Sequence, residues 1–390
     1  MLRRLLVALV VFVALDQLAL YGLLSGPTLL GRPVAPFDPP LFSDGQRLSL
    51  ETVRRTVAGQ AASSEATTVP FDVELGWCPL PASGEGQYRY DWAGCRIGSR
   101  ELPRAKTDGV RRIVAVGCSF THGDEVGAAE SWAALVDRDE GFEVANLGFG
   151  AYGLDQAYLR LQRDGLPLEP DEVWMGFLPF AAPRVTTLYR PAQRHWALFA
   201  GFKPRFLLDE GRLRLIPNPA RTLADVPRLI DDQRAFLDAV EHDLWVQRAP
   251  WAYLPRGSHW SHYSAASRLV LTLFERGQRD PAGWLQEPSE VRSILRTLVG
   301  LARSAAEERG ARFRFLVLPS ERDVESAASG ATYWSPLLDE LRADGVEVVD
   351  VTKVLQTARS GKQPLWLPGG HYTVEGNRLV AEALLYAAQR

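Results

Sequence analysis

From residue 111 onward, short apolar runs rich in β-branched and aromatic residues alternate with segments of helical periodicity. The runs are RRIVAVG, FEVANLG, DEVWMGFL, ARFRFLVLP and GVEVVDV, and none alternates cleanly between apolar and polar. Strands apolar on both sides must be covered on both faces. Helical patterns fall between them, around Glu130 to Asp137, Leu154 to Arg163, Ser289 to Glu308 and Pro336 to Arg342, with a last one from Val374 to Gln389. This alternation predicts an α/β fold built on a parallel, doubly wound sheet of roughly five strands. Ligands of such sheets bind outside the carboxyl ends of the strands, so chemistry is expected in the loops that follow the runs. Residues 181–287 break the pattern with a Trp- and Arg-rich stretch, read as a largely helical insertion forming a cap or lid.

With 390 residues, 46% apolar and 23% charged, the chain has enough material for a full core. A net charge of −3 without long like-charge blocks excludes the basic footprint that nucleic-acid binding requires. The three cysteines, Cys78, Cys95 and Cys118, have no metal-ligand spacing; a Cys78–Cys95 disulfide and free buried thiols both remain open. Residues 1–26 place Arg3 and Arg4 ahead of an apolar run from Leu5 to Leu24, about the ~20 residues that span a bilayer. No A-x-A-like cleavage site follows, which favours a retained transmembrane anchor or uncleaved signal over a cleaved one or a buried soluble helix. Asp16 costs a few kcal/mol inside such a span. Arginines ahead of the span direct the rest of the chain outward, to the periplasm or cell exterior. Residues 27–75, rich in Pro, Gly, Ser and Ala, read as linker and lead-in to a domain over 76–390.

Ser119 directly follows the first run, in IVAVGCSFTHGDEV. His371 lies in a Gly-rich loop before a helix that Thr373 can cap, with Glu375 in its first turn. A histidine base beside a serine is the minimal unit of nucleophilic hydrolysis. Here the residues resemble the SGNH or GDSL hydrolases, which are esterases, lipases and carbohydrate acyl hydrolases or transferases. GCSFTHGDEV is similar to the family's first block, NLGFGAYGLDQ to its second and GHYTVEGNRLVAEAL to its last. YRYDWAGCRIGSRE and KPRFLLDEGRLRLIPNP are similar to segments of membrane-anchored members. The resemblance implies a three-layer, SGNH/flavodoxin-like fold. It also implies Ser119 as nucleophile, His371 as base, the backbone N–H groups of Ser119 and Ala151 as oxyanion hole, and Cys118, Asn146 and Gly148 in support.

The departures fall at chemical positions. Cys118 replaces an aspartate, Ala151 replaces the oxyanion-hole glycine, and GFLPFAAPR offers Phe180 and Ala181 where the family has an asparagine. Gly369 and Pro368 stand where an aspartate precedes the catalytic histidine, leaving Asp124, Asp323 or Asp350 to supply a carboxylate from elsewhere. The expected activity is a serine esterase or O-acyltransferase acting on an acyl ester, acetyl included, of a small molecule or a cell-surface glycan. The alternative is a catalytically silent SGNH-like domain that binds a glycan or a partner protein. No cofactor or metal is expected, since His259 and His262 in HWSH have no further ligand in register. His122 reads as a surface or supporting residue, Arg184, Arg190 and Arg194 as solvated, and Trp196, Trp245, Trp251 and Trp260 as core rather than ligand platform.

Overall fold

The computed structural model describes residues 2–25, 28–29, 32–33, 44–59, 71–193, 201–248, 263–270, 281–285, 289–327, 330–359, 361 and 363–389. Each of the apolar runs forms a strand: β1 (Arg111–Val116), β2 (Phe142–Asn146), β3 (Glu172–Phe177), β4 (Arg312–Val317) and β5 (Glu347–Asp350). All neighbours pair in parallel, in the order β5-β4-β3-β1-β2. The central β3 is buried at every residue, as a strand covered on both faces must be.

The chain leaves β1 in one direction and β2 in the other, so right-handed crossovers put the intervening helices on opposite faces. Helix α1 (Trp132–Val136) packs against α5 (Val374–Ala388), and α2 (Leu154–Arg160) packs against α3 (Glu290–Glu307). Helix α3 also touches β4 and α4 (Ser335–Ala343). It begins on a Ser289 cap and buries one stripe, Val291, Ile294, Leu295, Leu298, Val299 and Ala302, at the spacing of a single helix face. Thr373 caps α5 as its sequence predicts, accepting from the N–H of Gly376 at 3.1 Å. The result is a three-layer α/β fold with flavodoxin-like strand order, and its switch point lies at the carboxyl ends of β1 and β3. At the opposite rim the sheet is closed by buried ion pairs, Arg112 with Glu143 at 2.6 Å and Arg314 with Glu172.

The chain divides into two compact units, Met1–Trp77 with Thr187–Lys203 and Asn218–Asp280, and Cys78–Thr186 with Pro204–Pro217 and Pro281–Arg390. The sheet belongs to the second, as does a hairpin of Arg205–Asp209 with Arg212–Ile216. The first holds helices Asp225–Asp231, Gln233–Ala239 and Leu244–Arg248, and a helix at Asp44–Val57 within the stretch read as linker. Its N-terminal helix, Leu2–Ser25, contains an apolar window from Leu2 to Gly22 with mean hydropathy 2.2, long and apolar enough to cross a membrane. Asp16 is not left bare there: it accepts from Ser264 Oγ at 3.1 Å and Ala266 N at 2.8 Å. Beside it, Gln17 Nε2 donates to the Tyr263 carbonyl at 2.7 Å.

Trp245 is core, as expected, while Trp196, Trp251, Trp260, His259, His262 and Arg194 lie outside the described residues. The solvated reading of Arg190 is corrected: it is buried and donates to Gln193 Oε1 at 2.7 Å. Cys78, Cys95 and Cys118 are all buried thiols outside any disulfide, which decides for thiols over a Cys78–Cys95 bridge.

Candidate functional site

The rim of β1 is built by the residues around Ser119. The strand ends at Val116, and a single turn, Ser119–His122, starts immediately after Cys118, placing Ser119 at the switch point. Asn146, the last residue of β2, staples this turn. Its Nδ2 donates to the carbonyls of Thr121 (3.0 Å) and His122 (3.3 Å), and its Oδ1 accepts from Gly148 N at 3.0 Å. Gly148 must be glycine, because a Cβ there would lie 2.5 Å from His122 N and 2.8 Å from the Thr121 carbonyl carbon. The second block is thereby pressed against the first, with Phe149 N bonded to Gly117 O at 3.1 Å. At the tip of that loop Ala151 adopts φ 63°, the left-handed conformation that favours glycine.

Cys118 is no rival nucleophile. It is buried, and burial pushes its thiol up, away from the reactive thiolate. Arg184, expected to be solvated, is buried beside that thiol and donates to Tyr152 O at 2.8 Å. A guanidinium removed from water needs such carbonyl and sulfur partners, which residue spacing does not reveal.

His371 arrives from the other end of the chain. Its loop closes on itself through Leu367 N to His371 O (2.7 Å) and Gly370 N to Leu367 O (2.8 Å). Buried Tyr372 anchors it by donating to Pro319 O at 2.8 Å and by meeting the Phe120 ring edge-on at 4.9 Å. The His371 ring lies 5.3 Å from that same Phe120, the neighbour of Ser119. Its Nδ1 faces Glu125 Oε2 at 2.8 Å, and its main-chain N–H points to the same oxygen at 3.4 Å. A carboxylate only accepts, so Nδ1 carries the proton and Nε2 is the nitrogen left for other work. Among the described residues, no hydrogen bond joins the Ser119 hydroxyl to His371.

The three carboxylates expected to serve His371 do other things. Asp124 pairs with Nδ1 of His122 instead. Asp323 accepts from Ser320 N (2.8 Å), Ser320 Oγ (2.7 Å) and the Tyr333 hydroxyl, and burial raises its carboxyl. Asp350 caps its own turn by accepting from Thr352 N at 2.9 Å. Glu125, next to Asp124, was overlooked. The available signal was a second carboxylate two residues past GCSFTHG combined with a pair of glycines before the histidine.

His122 is also not a surface residue. It is buried, with rings of Tyr88 and Tyr90 stacked on it at 5.6 and 5.9 Å and Phe149 edge-on at 5.5 Å. Nε2 takes the Tyr90 hydroxyl at 3.1 Å. Burial, more strongly than the nearby Asp124 opposes it, holds the His122 pKa below its ordinary value and the ring neutral. Burial works to raise Asp124, but His122, then His371 and Arg96, outweigh it and leave that carboxyl below its usual range.

The carboxylate loop is held by Arg96, from the YRYDWAGCR stretch. Its buried guanidinium donates to the carbonyls of His122 (2.6 Å), Gly123, Val126 (2.9 Å) and Gln87 (3.2 Å). The N–H of Glu125 donates to the Tyr88 hydroxyl at 3.0 Å. No group of three or more metal-ligating side chains occurs among the described residues. Phe180, at the position where the resemblance implies an asparagine, supplies no side-chain donor.

No protein-family profile and no curated protein matches the chain. Among solved structures, it is similar to a member of the lipolytic G-D-S-L family from Veillonella parvula (11% identity, 72% of this chain and 98% of that one, TM-score 0.37). It is similar also to the acetyl xylan esterase AlAXEase (11% identity, 71% and 98%, TM-score 0.37). A third is a catalytic mutant of Axe2, an acetylxylan esterase from Geobacillus stearothermophilus (12% identity, 73% and 95%, TM-score 0.37). In its parallel five-stranded sheet and in where the quoted blocks fall on it, the chain resembles the SGNH and GDSL hydrolases in fold.

Proposed function

We propose that this protein is a serine esterase or O-acyltransferase in which Ser119 attacks an acyl ester and His371 is its base. The observation that carries the reading is Ala151. Five non-glycine residues adopt positive φ among the described ones, and two of them, Glu125 and Ala151, stand at this rim. Left-handed backbone costs an L-residue about 1–2 kcal/mol, and residues held in such strain concentrate at functional sites. Ala151 lies in the loop that Phe149 N ties to Gly117 O, two residues before Ser119.

The chemistry follows from the groups present. As Ser119 Oγ bonds to the acyl carbon, its proton passes to His371 Nε2 and the carbonyl electron pair moves onto oxygen. The N–H groups of Ser119 and Ala151 hold that oxyanion. Collapse breaks the bond to the leaving alkoxide, which takes the proton back from Nε2. The acyl-enzyme then passes its acyl group to water or to a sugar hydroxyl by the reverse sequence. Without a side-chain donor at Phe180 the hole has two donors, and a lost donor costs about 10²- to 10³-fold in rate.

The substrate class we assign is an acyl ester, acetyl included, on a glycan at the cell surface. Support for the glycan is positional: the N-terminal helix is long and apolar enough to cross a membrane, and Arg3 and Arg4 ahead of it favour an orientation with the domain outside the cytoplasm. A second reading, a silent domain that binds a glycan or a partner protein, is favoured by the open Ser119 to His371 contact and by Phe180. A fluorophosphonate probe separates the two. Intact protein is expected to label, with Ser119→Ala abolishing labelling and lowering p-nitrophenyl acetate turnover by at least about 10³-fold. Equal labelling of both proteins, or none of either, removes the enzyme.

A further inference from the structure

We infer that Glu125 is the positioning acid of His371, moved from the histidine's own loop to the nucleophile's, and that Gly369 is glycine because this carboxylate occupies its side-chain space. The inference rests on the reading above, in that His371 is taken as the base. A Cβ built on Gly369 would lie 1.7 Å from Glu125 Oε1, 2.4 Å from Cδ and 2.5 Å from Oε2. Contacts this short force a shift, so a side chain at 369 would displace the Glu125 carboxylate from its present place. The residue that resemblance counts as a missing aspartate is therefore the space that admits a different acid.

Glu125 is placed for the task by its surroundings. Its own backbone is left-handed at φ 68°, its N–H is held by Tyr88, and Arg96 ties down the carbonyls on both sides of it. Adjacent side chains diverge from this loop: Asp124 turns inward to buried His122, while Glu125 turns outward to His371. Each histidine thus has its own carboxylate. Asp124 is committed and does not substitute for Glu125. Through Oε2, Glu125 fixes both the tautomer and the tilt of the His371 ring, which leaves Nε2 with its lone pair free.

The test uses the full chain in detergent, with Glu125→Ala, Glu125→Gln, Gly369→Asp and the double variant Glu125→Ala/Gly369→Asp, each checked for a native thermal melt. The activity-independent readout is ¹⁵N NMR of the His371 ring. In the parent the neutral ring is expected to carry its proton on Nδ1, and in Glu125→Ala the Nε2–H tautomer should grow in. Turnover of p-nitrophenyl acetate should fall about 10²- to 10⁴-fold in Glu125→Ala and Glu125→Gln, with KM little changed. The double variant, with an acid returned to the histidine's loop, should recover at least about tenfold over Glu125→Ala and restore the Nδ1–H tautomer. Gly369→Asp alone, with two acids competing for one space, should do worse than the parent. An unchanged tautomer in Glu125→Ala overturns the inference, as does a double variant no better than Glu125→Ala in both readouts. If Ser119→Ala leaves turnover intact, the enzyme reading fails by itself, and the NMR comparison still judges Glu125.

Discussion

Ala151 is where residue-scale physics and function pull apart. A glycine there would relieve left-handed strain of about 1–2 kcal/mol, while its freer unfolded state would return about 0.4–1 kcal/mol of that. Ala151→Gly is therefore expected to stabilise the protein by about 0.5–1 kcal/mol in urea unfolding. A destabilised variant would mean that the methyl group is packed rather than strained. The sequence marked Ser119, Ala151 and His371 because each sits in a quoted block, Ser119 and Ala151 after strand-like runs and His371 in a Gly-rich loop ahead of a helix. It did not mark Glu125, because which carboxylate reaches a histidine depends on the path of a loop. It misjudged Arg184 and Arg190 for a related reason: a charged residue reads as solvated until its buried partners are known.

At the scale of elements, the sheet was the most legible part. Covered strands must be apolar on both faces, so β1 to β5 announced themselves as runs, and the helix cap at Thr373 was written in the chain. The stretch Tyr88 to Arg96 was legible only as a resemblance, and its physical task appears once the loop is in place. Arg96 closes four carbonyls, of which, among the described residues, only that of His122 is shared with another side-chain donor, Asn146 Nδ2 at 3.3 Å. Arg96→Met should cost about 3–5 kcal/mol, since it strands buried carbonyls. Arg96→Lys should rescue little of it, because an ammonium has neither the reach nor the planar fork. Both variants should also slow fluorophosphonate labelling, as Glu125 loses its support. Fast labelling in a folded Arg96→Met protein would separate the loop from the chemistry.

For the whole molecule, acid stability carries a signature of the buried imidazole. The folded pKa of His122 lies below its ordinary 6.5, so the unfolded chain binds that proton first as pH falls. The stability it contributes is full above about pH 6.5 and is lost on acidification toward the folded value. Asp124, also lowered from its ordinary 3.8, adds a second loss below that pH. Unfolding free energy measured from pH 7.5 to 4.5 should fall less steeply in His122→Gln than in the parent, and parallel slopes would assign the titration elsewhere. The N-terminal helix makes a different claim at this scale. Protease added to spheroplasts should digest everything beyond about residue 30, whereas protection of the large domain would reverse the orientation and remove the glycan substrate.

Glu125 and His371 are 246 residues apart in the chain, and the last strand, loop and helix of the fold come after everything else. Long-range pairings of this kind form late, since their loops must close first. On the proposed reading, a chain synthesised from its N-terminus therefore carries Ser119, Ala151 and Glu125 for most of its synthesis without His371. On that reading the Ser119 hydroxyl gains its base only when the loop that carries His371 has docked against Phe120.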